Sequence, residues 1–156
     1  MEHTEFALAI VNQAANEQRT VNEILACNQS TKQYGLSLNE TQALALVQTR
    51  SNVLRETKRI EFGTGIIDKL VLAFEDSPHV TQETFEEVLH EIISLFYEVK
   101  NNTWDQIPDA KLIAFLKKGY DDSCHGSIEL LSGEAMRLAE HIHRGEAMED
   151  FKMREN

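Results

Sequence analysis

Two copies of a Glu-x-x-His motif come closest, in residue type and spacing, to a metal site. They are Glu87-Val-Leu-His90 and Glu140-His-Ile-His143. Carboxylate-bridged di-iron bundles use two such motifs with two further glutamates, all projecting into the core. On a helical wheel Glu87 and His90 instead point away from the apolar stripe of their segment, and Glu140 and His143 lie on the polar side of theirs. We therefore expect two solvated helix faces, no metal and no other cofactor.

The pair Cys124-His125 is the candidate for nucleophilic catalysis. A thiolate nucleophile needs a base within reach, but adjacent residues normally direct their side chains apart. The pair therefore does not predict a catalytic site. Cys27 falls on a predicted helix, where a packed thiol is the commoner situation. Because no CxxC spacing is present, two reduced thiols in a cytoplasmic protein are the simplest interpretation.

Arg50 is the charged residue whose position is hardest to reconcile with solvent exposure. It shares a helical stripe with Val47, and a buried guanidinium must be paired. Glu61 and Asp68 lie in nearby segments and could supply the carboxylate. We predict a structural ion pair that ties this helix to the turn at Gly63-Thr-Gly65. The functional alternative is that Arg50, with Glu61 beside it, binds an anionic ligand.

These residues must be positioned by helices, and the segment from Val80 to Val99 predicts the longest amphipathic one. Its apolar residues recur at helical and not at strand spacing. Thr81 is the predicted N-cap, and the helix is predicted to end near Asn101-Asn102. Each large apolar side chain contributes roughly 1.5–3 kcal/mol on burial, against about 5–15 kcal/mol for a whole domain. We therefore expect this helix to be central; its stripe consists of Phe85, Leu89, Ile92 and Phe96.

The rest of the chain is also patterned as helix, with only two prolines and seven glycines. Capping-box spacing marks two predicted helix starts, at Thr20-Val-Asn-Glu23 and at Ser37-Leu-Asn-Glu40. Gly35 is predicted to end the first of these helices, and Pro108 to begin a later one. The last segment is predicted as one broken helix or two short ones. The predicted helices are 4–17, 20–34, 37–57, 66–75, 81–100, 108–118 and 127–145.

We predict an all-α, single-domain bundle of about six to eight helices around the helix at about 81–100. The domain is expected to span 20–145. Residues 1–19 are predicted to be an N-terminal helical extension that packs loosely, and residues 146–156 a flexible tail. A length of 156 residues with 42% apolar side chains is enough for one folded core.

The net charge of −11 argues against nucleic-acid binding, which requires clustered lysine and arginine. The acidic start, Met1-Glu2-His3-Thr4-Glu5, does not fit a signal peptide. The longest unbroken apolar run, Phe6 to Val11, is far shorter than the roughly 20 residues that cross a bilayer. We therefore expect a cytoplasmic protein that binds neither nucleic acid nor membrane.

Several short segments, taken together, resemble a family of small, all-helical bacterial proteins of unknown function. The resemblance covers roughly residues 20–145. It implies a cytoplasmic bacterial protein and brings no activity with it. The segments are Cys27-Asn to Tyr34-Gly-Leu, Leu46-Val47 to Arg50, Glu61-Phe-Gly-Thr-Gly-Ile66 leading to Ala73-Phe74 and Asp76-Ser-Pro78, and Phe96-Tyr97.

No pattern in the sequence defines a reaction. The leading interpretation is a non-enzymatic helical module that binds a protein partner or itself. The alternative is an enzyme or a small-ligand-binding protein with a site between helices near Arg50, Glu61 and the Asp121–His125 stretch. An exposed apolar patch would favour the first interpretation, and a closed polar pocket would favour the second.

Overall fold

Seven α-helices and no strand make up the regular structure of the described part of the chain. The computed structural model describes residues 2–61 and 65–154, and the side chains of 14–61 and 65–154. Single turns of 3-10 helix lie at Lys32–Tyr34 and Met148–Asp150, and a π-helical turn at Gly119–Ser123. The α-helices are α1 Glu2–Ala26, α2 Asn28–Thr31, α3 Glu40–Glu56, α4 Ile67–Phe74, α5 Phe85–Asn102, α6 Asp109–Lys118 and α7 Ile128–His143.

Helix α5 is at the centre, as its apolar stripe predicted. It packs against α3, α4, α6 and α7, and α1 covers α3 and α4 from the other side. The four stripe residues Phe85, Leu89, Ile92 and Phe96 are completely or almost completely buried. The predicted all-α helical bundle is therefore confirmed. Helices α3 and α5 share an interface, which Arg50 of α3 faces through its hydrogen bond to Tyr97 of α5.

Three predicted helix starts are wrong. Helix α5 begins at Phe85 after Thr84, because the Thr84 hydroxyl accepts from the backbone N–H of Thr81 and closes a turn ahead of the helix. The N-cap of α3 is Asn39 and not Ser37; its side chain accepts from the Gln42 N–H over 2.8 Å, and the Gln42 side chain accepts from the Asn39 N–H.

The third wrong start is at Thr20, which lies inside α1 and does not cap a second helix. Its hydroxyl donates to the carbonyl of Asn16 over 2.9 Å, a bond that a helix interior accommodates without a break. The two predicted helices 4–17 and 20–34 are therefore one helix as far as Ala26, followed by the turns that end at Gly35.

The other helix boundaries agree closely with their predictions. Gly35 takes the left-handed conformation, with φ 74°, at the end of the turn Lys32–Tyr34. Pro108 directly precedes α6, and the Ser127 side chain accepts from the N–H of Leu130 at the start of α7. For the last segment, the prediction of one broken helix or two short ones is wrong. Helix α7 is a single helix through Gly133, because an isolated glycine is tolerated inside a helix.

The segment after α7 packs on the bundle. The ring of Phe151 lies 5.7 Å from that of Phe115 and 5.4 Å from that of His141, and the Arg137 guanidinium lies 5.3 Å from the same ring. The predicted flexibility of this tail and the domain limits at 20 and 145 stay predictions. Among the described residues, no helix is both long and apolar enough to span a membrane.

Candidate functional site

Arg50 lies in the interior, where the apolar stripe of α3 places it, with only 7% of its surface exposed. Its Nη2 atom is 3.0 Å from Oε1 of Glu61, and its Nε–H donates to the hydroxyl of Tyr97 over 3.2 Å. The predicted ion pair is confirmed, with Glu61 and not Asp68 as the carboxylate. The ligand-binding role of Arg50 and Glu61 stays a prediction.

Tyr97 of α5 completes this cluster, and sequence reasoning missed it. Its hydroxyl accepts from Arg50 and donates to Oε1 of Glu61 over 2.8 Å. Burial, helped by the negative charge of Glu61 and opposed by Arg50, raises the pKa of Tyr97 well above its usual value, so the phenol stays neutral. The available signal was a tyrosine on a buried helix face, because a buried phenol needs a hydrogen-bond partner.

Gly65 lies directly against the Arg50 guanidinium. A Cβ atom at this position would be 2.3 Å from Nε and 2.6 Å from Cζ of Arg50, and the backbone has φ 78°. Only glycine allows both the close approach and the left-handed conformation without strain. The rest of the turn predicted at Gly63-Thr-Gly65 lies outside the described residues.

A second layer of ion pairs lies beside the first. Arg59 donates from Nη1 and Nη2 to the two carboxylate oxygens of Asp105, over 2.9 and 2.7 Å. This guanidinium holds the pKa of Asp105 below its usual value. Lys100 of α5 is buried, and its ammonium contacts the Asp109 carboxylate and the Ile107 carbonyl, both at 2.7 Å. The loop after α3 and the loop after α5 are thus held together and to the bundle by ion pairs and hydrogen bonds.

These two layers enclose a polar cleft of about 470 Å³, which we call the Arg59 cleft. Its volume lies within the range of small-molecule sites, roughly 300–1,000 Å³. The structure therefore brings Glu61 into a cavity together with groups that the sequence did not connect with it. The cleft is lined by Arg59, Glu61, Gly65, Ile66, Lys69, Phe96, Tyr97, Lys100, Asp105 and Asp109.

The stretch Asp121–His125 belongs to a separate cluster. The Asp121 carboxylate accepts from the Ser77 hydroxyl over 2.6 Å and pairs with Lys117, and its carbonyl accepts from the His79 ring. These bonds tie the π-helical turn to the loop after α4. The alternative interpretation grouped this stretch with Arg50, but the partners of Asp121 lie in that loop and in α6.

The two Glu-x-x-His motifs do not converge. The ring of His90 bonds to the Thr49 hydroxyl at 2.6 Å and to Glu86, one turn back on its own helix, at 2.9 Å. His143 donates to the carbonyl of Asn102 and stacks on the ring of Trp104 at 4.3 Å. Within residues 2–61 and 65–154, no group of three or more His, Cys, Asp or Glu side chains is arranged to hold a metal ion.

Both cysteines are buried thiols. Burial, with smaller contributions from Asp68 and Glu75, raises the pKa of Cys27 to about 11. Burial also raises the pKa of Cys124 above its usual value. A thiol with a raised pKa is a poor nucleophile at neutral pH, because the thiolate is the reactive form.

Two exposed, large apolar side chains adjoin the Arg59–Asp105 ion pair in the chain. Ile60 follows Arg59 in the chain and is 84% exposed, while Trp104 precedes Asp105 and is 64% exposed. Trp104 and Asp105 are both left-handed, with φ 53° and 58°. We call these four residues the Trp104 corner. The sequence placed Trp104 only in a linker. No local sequence pattern predicts its exposure or its left-handed backbone conformation.

These observations define a class: an all-helical protein with buried ion pairs between helices and loops, a polar cleft and an exposed tryptophan. The chain belongs to a family described as a family of unknown function, DUF6323, whose members it matches over residues 23–148. This match agrees with the resemblance to a family of unknown function. No curated protein and no solved structure matches the chain.

Proposed function

We propose that this protein is a non-enzymatic interaction module that binds a partner protein through the Trp104 corner. The observation that carries this proposal is the exposed tryptophan itself. Tryptophan and arginine dominate the binding energy of protein interfaces, and Trp104 stands beside Arg59. An aromatic side chain that stays largely in solvent contributes little to the folding of its own chain.

The backbone at the corner supports the proposal. Left-handed conformation costs a residue other than glycine roughly 1–2 kcal/mol, and Trp104 and Asp105 adopt it in succession. Strain of this kind is concentrated at functional sites, where the surrounding structure maintains it. Here the bidentate Arg59–Asp105 pair and the stacking of Trp104 on His143 hold the strained segment in place. The indole is therefore held in one orientation, and little conformational entropy is lost when a partner binds.

Net charge decides which kind of partner fits. Two copies of a chain with net charge −11 repel each other, whereas a basic partner is attracted over a distance of about a Debye length. We therefore propose a protein partner with an apolar pocket for Trp104 and a positively charged rim. Nucleic acid, which is itself an anion, is not expected to bind.

The test is a comparison of variants as bait in a lysate of the source organism. Met136 of α7 is 62% exposed and serves as the matched control. Trp104→Ala is expected to lose a stoichiometric basic protein that the wild type and Met136→Ala both retain, and high salt is expected to release it. Equal capture by all three baits would contradict the proposal. Concentration-dependent dimerisation that Trp104→Ala abolishes would assign the corner to a second copy and overturn the basic partner.

A second candidate function is the binding of a small ligand between helices near Arg50 and Glu61. The Arg59 cleft supports this second function, because Glu61 lines the cavity and its position is fixed by the ion pair with Arg50. The cleft lining includes Arg59 and Asp105 but neither Ile60 nor Trp104, so a ligand in the cleft is compatible with a partner protein that contacts the indole.

We propose that the protein acts in the cytoplasm of a bacterium. Two buried, unpaired thiols suit a reducing compartment. Fluorescence microscopy of a tagged copy in the source organism tests the location, and membrane or periplasmic signal would contradict it.

A further inference from the structure

We infer that the Arg59 cleft binds a small, polar molecule carrying one oxyanion, a carboxylate or a phosphate. We infer also that Lys69 is the principal residue that contacts this oxyanion. This inference develops the second candidate function. The cleft shares Arg59 and Asp105 with the Trp104 corner, but Trp104 does not line it. It rests on how the charges that line the cleft are paired.

Three carboxylates of the cleft are already neutralised by cations of the same cluster. The pairs are Arg50–Glu61 at 3.0 Å, Arg59–Asp105 at 2.7 Å and Lys100–Asp109 at 2.7 Å. Internal pairing therefore leaves the cleft with no unmatched carboxylate to repel an anion.

Lys69 is the cation that remains. Its side chain projects from α4 into solvent at the cleft, and it forms no ion pair or hydrogen bond with the described residues. The lining side chains carry three cations and three carboxylates, and Arg50, which lies outside the lining, pairs with Glu61. Lys69 is therefore left without a carboxylate partner, and an unpaired cation at a cleft attracts a small anion.

The Arg59 side chain has one donor without a partner. Its two terminal nitrogens donate to Asp105, but its Nε–H is buried and has no acceptor among the described residues. An unsatisfied buried donor carries a desolvation cost, which a ligand oxygen that accepts from this N–H would relieve. Asp105 and Tyr97 fix the position of the guanidinium, with Cζ of Arg59 lying 6.0 Å from the centre of the Tyr97 ring. The cleft therefore needs little reorganisation on binding.

The composition of the walls limits the ligand further. Six of the ten lining side chains are charged, and only Ile66 and Phe96 are wholly apolar. An apolar ligand would leave those charged groups poorly solvated, so a hydrophilic ligand is favoured. The volume of about 470 Å³ suits a metabolite-sized molecule and excludes a folded partner.

The test is thermal unfolding of the full chain during titration with inorganic phosphate and, separately, with lactate, a hydrophilic monocarboxylate. Ionic strength is held constant with chloride. A saturable rise in Tm is expected with at least one of the two probes, and the responding probe distinguishes the phosphate from the carboxylate source. Lys69→Met is expected to raise the half-saturating concentration at least tenfold, because it removes the unpaired cation and disturbs no internal contact.

Two controls separate this result from general salt effects and from the interaction function. Lys118 of α6 is exposed and lies outside the cleft, so Lys118→Met is expected to titrate like the wild type. Trp104→Ala is expected to do the same. The inference is overturned if neither probe gives a saturable rise, or if Lys69→Met and Lys118→Met have the same half-saturating concentration.

Discussion

Two buried charges of opposite sign, at opposite sides of the bundle, can be compared directly. Arg50 of α3 is 7% exposed and pairs with Glu61, which follows that helix in a loop. Glu134 of α7 is 2% exposed and pairs with Arg154, which follows its helix in the C-terminal segment. In both cases a charge buried on a helix fixes a segment that has no regular structure of its own.

The two clusters differ in how many charged partners the buried residue has. Arg50 has one carboxylate, and its other partner, the Tyr97 phenol, is neutral. Glu134 has two guanidinium groups, because Arg137 pairs with it from one turn further along α7. A buried charge with a single counterion depends on that counterion, whereas a buried charge with two retains one when the other is removed. The first cluster is therefore expected to be the more sensitive to substitution.

The largest effect is expected for Arg50→Met. The substitution removes the guanidinium and leaves both Glu61 and Tyr97 without their shared donor. Breaking a buried pair by removing one partner costs roughly 3–5 kcal/mol. The free energy of unfolding, measured by urea denaturation, is expected to fall by about that amount.

Arg55 provides the matched control, because it lies on the same helix and is exposed. Arg55→Met is expected to change the free energy of unfolding by less than about 0.5 kcal/mol. Wild-type stability for Arg50→Met would show that the pair does not hold the loop to α3.

An intermediate effect is expected for Arg154→Ala in the second cluster. The Arg154 side chain is 67% exposed, and Glu134 keeps Arg137 after the substitution. An exposed partner of this kind contributes about 1 kcal/mol or less. Urea denaturation is expected to show a loss well below that of Arg50→Met. Equal losses for the two variants would contradict the argument from the number of counterions.

The smallest effect is expected for Asp105→Asn, which removes the outer ion pair beside the first cluster. Asparagine tolerates the left-handed conformation of this position, so the backbone is preserved. Because the Asp105 side chain is half exposed, the loss near neutral pH is expected to be below about 1 kcal/mol.

The pH dependence of that loss follows from the lowered pKa of Asp105. A carboxyl group with a lowered pKa in the folded state stabilises the protein fully above its unfolded value, about 3.9. The contribution is lost as the pH falls through the lowered value. The difference in free energy of unfolding between wild type and Asp105→Asn is therefore expected to vanish in acid. A difference that persisted below this range would assign the loss to the backbone.

The sequence alone predicted a substantial part of this arrangement. The stripe of α3 identified Arg50 as a buried cation and Glu61 as a possible counterion, because helical periodicity is a local property. It also placed the turn that contains Gly65 beside Arg50. It did not identify Tyr97 or Lys69 as neighbours, because these come together through packing between α3, α4 and α5. It placed Trp104 in a linker but gave no sign that the linker is strained.

Local pattern therefore determined the helices, the central position of α5 and the presence of a charge that had to be paired. Those features follow from spacing along the chain, which any short window of sequence contains. Tertiary structure decided which carboxylate neutralises Arg50, that Lys69 is left unpaired at a cleft, and that Trp104, directly before Asp105 in the chain, is exposed. Each of these depends on contacts between residues distant in sequence, whose geometry is fixed only when the helices pack.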